Sequence, residues 1–243
     1  MTGPATMDGL GRAVATEGFA FRRGAAMRTL FNQQGSMADW PDLAASWDDL
    51  GLDTYMADGG RYRKRRHAAF GARADEPIHR KPHQPHYQSR DYNPLNGGIA
   101  RWFDPVLPEV AAGASMTTIL ATCRTLFELL APTRDWHVEV HQFRIEARSG
   151  TAGQPTPEGM HRDGVDYVLV LLVGRRNIQS GVTSIQGTDG RNLGSFTLAE
   201  ACDAAWVDDH RVMHGVTPVE PIDPAQPGFR DVLVVTFRDA QSG

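Results

Sequence analysis

The stretch "EGMHRDGVDYVLVLLVG", residues 158–174, places two metal-binding residue types, His161 and Asp163, directly before an apolar segment. Side chains alternate between the two faces of an extended chain, so His161 and Asp163 point the same way while Arg162 points to the other side. This short segment could therefore supply two ligands to one metal ion. The triplet alone is weakly specific, because a chain with nine histidines contains several such pairs by chance.

A third ligand is expected from the segment "DDHRVMHGVTP", which offers His210 and His214. His214 lies in the more apolar strand pattern, whereas His210 follows two aspartates in a segment typical of a turn, so we favour His214. The chain between His161 and His214 is long enough for two or three strands that would return His214 to the first pair. Two histidines and one carboxylate on one face of an octahedron leave three positions open, which is typical of non-haem Fe(II) oxygenases.

Arg230 is a candidate for binding an anionic co-substrate. Iron of this kind needs further electrons, and the commonest co-substrate that supplies them, 2-oxoglutarate, carries two carboxylates. Arg230 opens the strand pattern "RDVLVVTF", and its guanidinium can hold a carboxylate through two parallel hydrogen bonds. It would also make the buried assembly of Fe(II), two imidazoles, one aspartate and 2-oxoglutarate neutral, which lowers the cost of desolvation. The alternative is a surface ion pair with Asp231 or Asp223.

The elements that must position these residues are short strands. After Asp135, strand patterns follow one another and are separated by Gly, Pro, Asn and Asp; they are "WHVEVHQFRIEA", "YVLVLLV", "GVTSIQG", "GSFTLA", "AAWVDDHRVMHGVTPV" and "RDVLVVTF". This spacing predicts a mainly β fold with flanking α-helices, built on a cupin-like double-stranded β-helix, or jelly roll.

The clearest helix pattern is "SMTTILATCRTLFELLAP", in which apolar residues recur at three- and four-residue steps. Ser115 is the expected cap and Pro132 the expected stop, and one face should pack on a sheet. The N-terminal part adds the helical patterns "MDGLGRAVATEG" and "WPDLAASWDDLG" and a strand, "FAFRRG". We predict one domain over residues 1–243, with a jelly-roll core over about 135–238 and an N-terminal α/β elaboration over 1–134.

Composition narrows the class of protein. A hydrophobic fraction of 41% and a charged fraction of 22% are typical of a soluble globular chain, and no apolar run approaches the roughly 20 residues of a membrane span. The first 25 residues show no secretory signal pattern. The two cysteines, Cys123 and Cys202, are expected to be buried thiols, so we predict a cytoplasmic protein.

A basic run, "RYRKRRH" at residues 61–67, raises the possibility of a nucleic-acid patch. The net charge of −4 gives no general attraction to nucleic acid. We favour a solvated edge strand or loop that contributes one or two arginines to a site, and we expect no nucleic-acid or membrane partner. A Pro- and His-rich loop follows, and it is too long to be without function; its histidines, His79, His83 and His86, are expected to be solvated.

Several motifs together resemble the bacterial L-isoleucine dioxygenase family of 2-oxoglutarate- and iron-dependent oxygenases, which hydroxylate free amino acids. They are "YQSRDYNPLNGGIARWF" (87–103), "HQFR" (141–144), "HRD" (161–163), "HGVTP" (214–218) and "FRDVLVVTF" (229–237), so the resemblance covers about residues 60–238. It implies His161, Asp163 and His214 as the catalytic iron ligands and Arg230 as the clamp for the 2-oxoglutarate carboxylate. The implied cofactors are Fe(II), 2-oxoglutarate and O₂, and the implied reaction is hydroxylation of an amino acid with release of succinate and CO₂.

An amino-acid substrate needs a cation for its carboxylate and acceptors for its ammonium group. Gln142 and Arg144 share one face of the strand pattern "VHQFRIE", and Arg101 and Tyr87 lie in the upstream loop, which could close over the site. Asp166 is a further candidate for the ammonium group, although alternation points it away from the predicted metal ligands.

Two other functions fit the sequence. A cupin-like metal enzyme that does not use 2-oxoglutarate would share the jelly roll but would not need Arg230. A non-catalytic jelly roll that binds a metabolite would not need the complete set of metal ligands.

Overall fold

Two β-sheets enclose a central cavity, and helices cover the outer face of the larger sheet. The computed structural model describes residues 6–73, 76–132 and 134–241. Its helices are α1 (Met7–Glu17), α2 (Gly24–Gln34), α3 (Trp40–Ala45), α4 (Pro108–Ala111) and α5 (Ala114–Leu130), with a 3₁₀ helix at Ser46–Asp49. Its strands are β1 (Phe19–Arg22), β2 (Arg63–Ala72), β3 (His79–Arg80), β4 (Trp136–Ala147), β5 (Tyr167–Arg176), β6 (Ile178–Ser180), β7 (Val182–Gly187), β8 (Asn192–Thr197), β9 (Ala204–Asp208), β10 (Val212–Val216), β11 (Val219–Pro221) and β12 (Gly228–Asp239).

The large sheet has the strand order β1-β9-β5-β12-β4-β2-β3, and the small sheet has the order β10-β7-β8. A two-stranded sheet joins β11 to β6, and every strand pair within these sheets is antiparallel. The large sheet includes β1 and β2, so it begins before the predicted core boundary at residue 135. Strands from the N-terminal part therefore pair with strands of the predicted core, and the assignment of one domain to residues 1–243, with a core over about 135–238, stays a prediction.

Alternation along β4 and β12 separates an outer face that packs in the hydrophobic core from an inner face that lines the cavity. On the outer face, Val138, Val140, Leu233, Val235 and Phe237 belong to the main hydrophobic core. On the inner face, Glu139, His141, Phe143, Arg230, Val232 and Val234 line the cavity. The helices therefore pack on the outer face, and the side chains of the inner face can bind ligands in the cavity.

Helix α5 packs against the outer face through its apolar side. The ring of Phe127 stacks on Tyr167 at 4.8 Å between centroids and contacts Phe237 edge-on at 5.0 Å. The predicted cap is wrong: the helix begins at Ala114, and the backbone N–H of Ser115 donates to the Asp39 carboxylate at 2.7 Å. A residue from another segment therefore supplies the acceptor that a capping side chain would provide.

Residues 63–67 of the basic run form the first half of β2, which pairs with β4 along its length. Arg63 and Arg65 are only 6% and 4% exposed, so the prediction of a solvated segment is wrong, whereas the strand and its contribution of arginines to a cavity are as predicted. Burial is tolerated because Asp53 lies 2.8 Å from Arg63 and 3.7 Å from Arg65. Among the described helices, none has the length and hydropathy that crossing a membrane requires.

Candidate active site

His161, Asp163 and His214 meet at the cavity between the two sheets. His214 lies on β10, and it exchanges two backbone hydrogen bonds with His161, of 3.0 and 2.9 Å. The two imidazole rings are 4.5 Å apart. Each Nε2 atom lies 3.7 Å from an oxygen of Asp163. The three residues selected from the sequence are therefore neighbours, held together by a backbone bridge rather than by one continuous strand.

The geometry of this group fits a metal ion. Its ligand atoms lie within 4.8 Å of one another, and three donors on one face of an octahedron with bonds of about 2.1 Å would lie about 3 Å apart. The Nδ1 atom of His161 lies 3.0 Å from the Gly159 carbonyl. A carbonyl only accepts, so the Nδ1 atom carries a proton and the Nε2 atom is left for the metal.

The charges in the group also suit a cation. Burial disfavours a charged His161, but Asp163 and Glu158 outweigh it and raise the pKa of His161 to about 9. Burial, together with His161, lowers the pKa of His214 to about 4. Burial opposes ionisation of Asp163, yet both histidines hold the pKa of its carboxyl well below the usual range. A metal ion would displace the proton that this group holds in the metal-free protein.

Asp209 fixes the segment that carries Asp163. Its side chain is buried, and its carboxylate accepts hydrogen bonds from the backbone N–H groups of Asp163 (2.9 Å), Gly164 (2.8 Å) and Val165 (3.2 Å). Burial and the nearby charge of Asp163 raise the pKa of Asp209 to about 6. The sequence suggested only a turn here.

Gly164 is required next to the metal ligands. Its φ of +79° is left-handed, and a Cβ atom there would lie 2.5 Å from the ring of Tyr92. The upstream loop that carries Tyr92 therefore packs directly on the backbone after Asp163.

Arg230 enters the same cavity from β12. It is 3% exposed, and its Nε and Nη2 atoms are buried without a hydrogen-bond partner. Burial, with a smaller contribution from Arg175, lowers its pKa to about 10, so the side chain is a cation at neutral pH. Asp231 faces the opposite side of the sheet and binds Arg144, so it does not neutralise Arg230. A buried guanidinium whose Nε and Nη2 atoms have no hydrogen-bond partner is suited to bind an anionic ligand.

A sequence model of the 2OG-Fe dioxygenase family matches residues 44–236. The chain belongs to this family. It is a 2-oxoglutarate-dependent non-haem iron dioxygenase, and its cofactors are Fe(II), 2-oxoglutarate and O₂.

Three known proteins are similar to this dioxygenase, and the third of them, together with the family match, confirms the predicted resemblance. The dioxygenase is 34% identical to a bsmA homologue from Methylobium petroleophilum PM1, whose crystal structure it matches with a TM-score of 0.89 over 99% of this chain and 96% of the other. The crystal structure of IDO from Bacillus thuringiensis matches with a TM-score of 0.80 at 17% identity, over 97% and 100%. The 3(1)-hydroxy-L-isoleucine 4-dioxygenase of Pantoea ananatis (strain AJ13355) is 24% identical over 93% of each chain. The predicted jelly-roll fold class is thereby confirmed.

Two predicted substrate residues of the dioxygenase lie on the wrong face of β4. The amide of Gln142 donates to the Ser46 hydroxyl at 2.8 Å, and Arg144 makes two 2.8 Å hydrogen bonds to Asp231. Neither lines the cavity, because the inner face of the strand is taken by residues 139, 141, 143 and 145.

The remaining substrate candidates divide between the cavity and the surface. Arg101 lines the cavity and is 2% exposed. Tyr87 is 62% exposed and lines an outer groove together with Asp166. The Asp166 carboxylate binds His210 (3.0 Å) and accepts a backbone hydrogen bond from Asp239 (2.7 Å). Neither residue lines the cavity that holds Arg230, but their groove also includes Asp163, so a role for Tyr87 or Asp166 in substrate binding stays a prediction.

A second histidine cluster, which the sequence did not predict, borders the cavity. Glu139 lies 2.7 Å from His86, 3.3 Å from His67 and 3.5 Å from His141. Arg65 donates to the Nδ1 atom of His141 at 2.7 Å, so the proton of His141 is on the Nε2 atom, which faces Glu139. Burial lowers the pKa of each of the three histidines, to about 4 for His86. The cluster is thus a network of neutral imidazoles around one carboxylate, and the prediction of a solvated His86 is wrong.

Proposed function

We propose that this dioxygenase hydroxylates an aliphatic C–H bond of a free L-amino acid or a close derivative, with release of succinate and CO₂. The observation that carries this proposal is a single cavity that joins the three candidate metal ligands, the unpartnered Arg230 and a charged wall with both cations and carboxylates. A zwitterionic substrate needs both signs of charge. The name of the Pantoea ananatis relative, a hydroxy-isoleucine dioxygenase, supports the same class of substrate.

In this proposal His161, Asp163 and His214 hold Fe(II), and Arg230 holds the far carboxylate of 2-oxoglutarate. When bound, the iron supplies the activation of O₂ for attack on a C–H bond. The protein positions the reactants: Arg230 fixes the co-substrate, and apolar side chains such as Val170, Ile185 and Val232 line the cavity and exclude water.

The reaction balances with one co-substrate per turnover. One oxygen atom of O₂ enters succinate as 2-oxoglutarate loses CO₂, and the other oxygen atom enters the C–H bond. The position of the substrate in the cavity decides which carbon is oxidised.

The test is a panel of free and N-acylated amino acids incubated with the protein, Fe(II), 2-oxoglutarate and O₂. We expect mass spectrometry to detect the gain of one oxygen atom in at least one free amino acid, with an equal amount of succinate. Asp163→Ala, which removes a ligand, is the inactive control. Oxygenation that does not require 2-oxoglutarate would favour a cupin-like enzyme. Binding of an amino acid without formation of succinate would favour a non-catalytic protein. Either result would refute the proposal.

We also propose the cytoplasm as the location, since Cys123 and Cys202 are buried free thiols, as a reducing compartment permits. The proposed partner is a small amino acid.

A further inference from the structure

We propose that Arg101 binds the α-carboxylate of the substrate and that Glu158 binds its ammonium group. The site would then select a free amino acid over its ester and N-acyl derivatives. This inference rests on the proposed function, and it names the substrate class more narrowly.

Arg101 has the same unusual environment as Arg230. Both line the cavity, at 2% and 3% exposed, and in each the Nε and Nη2 atoms are buried without a partner. These two nitrogens form the edge of a guanidinium that holds a carboxylate through parallel hydrogen bonds. Within the described residues, no other arginine leaves this whole edge buried and unpartnered. One such edge suits 2-oxoglutarate, and the other is left for a second carboxylate.

The backbone and the neighbouring ring of Arg101 hold it in place. Its N–H and carbonyl form two 2.9 Å hydrogen bonds with the backbone of His86, and its guanidinium lies 5.8 Å from the centre of the Phe103 ring. Arg101 is therefore held by fixed backbone contacts, and its free edge does not result from an exposed, unrestrained side chain.

The other arginines of this wall already have partners. Arg63 donates to Asp53 at 2.8 Å, and Arg65 donates to His141 at 2.7 Å. Asp53 lies also within 3.7 Å of Arg65. One carboxylate thus serves two guanidinium groups, and the charge of Arg101 remains for a ligand to neutralise.

Glu158 supplies the opposite charge in the same cavity. Its side chain is 9% exposed, and its Oε1 atom lies 3.4 Å from the Nε2 atom of His161. The Oε2 atom is buried and has no hydrogen-bond partner. An ammonium group donates up to three hydrogen bonds and neutralises a carboxylate, whereas an N-acyl amide supplies one donor and no charge. Arg101, Glu158 and a zwitterion together leave no net charge in the buried site.

The first test compares three forms of one ligand: the amino acid that the wild type hydroxylates best, or L-isoleucine if it hydroxylates none, with its methyl ester and its N-acetyl form. Calorimetry would measure their binding to the whole protein loaded with 2-oxoglutarate and Mn(II) without oxygen. We expect the free amino acid to bind about 100-fold more tightly than either derivative, because each derivative leaves one buried charge unpaired.

The second test assigns each preference to one residue. Arg101→Gln should weaken the free amino acid about 100-fold and remove the preference over the ester, while Glu158→Gln should remove the preference over the N-acetyl form. Affinity for 2-oxoglutarate should stay within about twofold in both variants, and affinity for Mn(II) should stay within about twofold in Arg101→Gln, whose side chain has no contact with the metal ligands among the described contacts. Arg144→Gln is the matched control, because it alters a hydrogen-bonded arginine on the outer face of the same sheet and should leave both preferences intact.

The outcomes separate this inference from the proposed function. Hydroxylation of an amino acid by the wild type, together with equal binding of the three forms, would overturn this inference and leave the proposed function standing. Loss of 2-oxoglutarate affinity in Arg101→Gln would also overturn it, since Arg101 would then hold the co-substrate. Failure of the wild type to bind or hydroxylate any amino acid would overturn both. If a variant does not fold, the comparison of the three ligand forms on the wild type still shows whether the site prefers the free amino acid.

Discussion

Replacing Arg230 with alanine should weaken 2-oxoglutarate and leave metal binding unchanged. The Nε and Nη2 atoms of Arg230 have no partner in the described structure, so the expected carboxylate would receive two charge-assisted hydrogen bonds. Such a pair contributes about 3 kcal/mol, which corresponds to a loss of affinity on the order of 100-fold. Arg230→Lys keeps the charge without the two-pronged geometry, so we expect a loss of about tenfold.

Thermal unfolding provides an assay that does not depend on turnover. A ligand present at 100 times its Kd stabilises the native state by about 2.7 kcal/mol, which for a chain of this size raises Tm by about 5 °C. At the same concentration of 2-oxoglutarate, a variant with a 100-fold higher Kd would gain about 0.4 kcal/mol, or less than about 1 °C. The KM for 2-oxoglutarate in succinate formation should rise in parallel.

Arg144→Ala is the control for loss of a hydrogen-bonded arginine in general. It should lower the Tm of the ligand-free protein, because it leaves Asp231 without its two hydrogen bonds, but it should keep the full shift with 2-oxoglutarate. A normal shift and a normal KM in a folded Arg230→Ala protein would refute the role assigned to Arg230 and favour an enzyme that does not use this co-substrate.

Three further perturbations test other parts of the site. Asp209→Ala removes the acceptor for three backbone N–H groups and should cost about 3 kcal/mol in urea unfolding and reduce bound iron; full iron content would contradict its role. Gly164→Ala should cost about 1–3 kcal/mol, because its left-handed φ and the Tyr92 ring both oppose a Cβ atom, and an unchanged unfolding midpoint would argue against this packing. Burial lowers the pKa of His86 from 6.5 to about 4. Neutral His86 therefore contributes to the free energy of unfolding above pH 6.5, and up to about 3 kcal/mol of this stability is lost as the pH falls towards 4. His86→Gln should therefore flatten the acid limb of stability measured by urea unfolding, and an unaltered pH profile would contradict this.

The local parts of the fold and site could be predicted from the sequence. The pattern "WHVEVHQFRIEA" has the same bounds as β4, Trp136–Ala147, because alternating apolar and polar residues mark a half-buried strand wherever it lies. The grouping of His161, Asp163 and His214, and the entry of Arg230 into the same cavity, followed from residue chemistry and spacing. Such inferences need only the order of strands and the direction of side chains.

The choice of the inner face could not be made in the same way. Alternation divides β4 into two sets, but it does not say which set faces the cavity. Polarity and a shared face predict Gln142 and Arg144 for the cavity, whereas it is the other set, which contains His141, that lines it. In the structure Arg144 points away from the cavity, because it donates hydrogen bonds to Asp231, which lies directly opposite on β12. The partner lies on a strand more than 80 residues away in the chain. The sequence of β4 alone therefore cannot predict this pairing.

Buried charge was the second obstacle to prediction. "RYRKRRH" has the composition of a surface strand, and only the ion pair of Arg63 with Asp53 shows how one of its arginines can be accommodated inside. The long loop after β2 gave no local sign that His86 would bond to Glu139. Polar residues point inward here because the cavity, and not the hydrophobic core, lies on that side of the sheet.

The two faces of the large sheet therefore contribute opposite terms to stability. The outer face buries apolar side chains under the helices and stabilises the fold. The cavity that the inner face borders buries Arg101, Glu158 and Arg230 with polar atoms that have no partner, and each such atom costs free energy in the ligand-free protein. Co-substrate and substrate would supply the missing partners, so part of the cost of building the cavity returns as binding energy. For that reason the atoms left unpaired on the inner face, rather than the residues already satisfied there, indicate where the ligands bind.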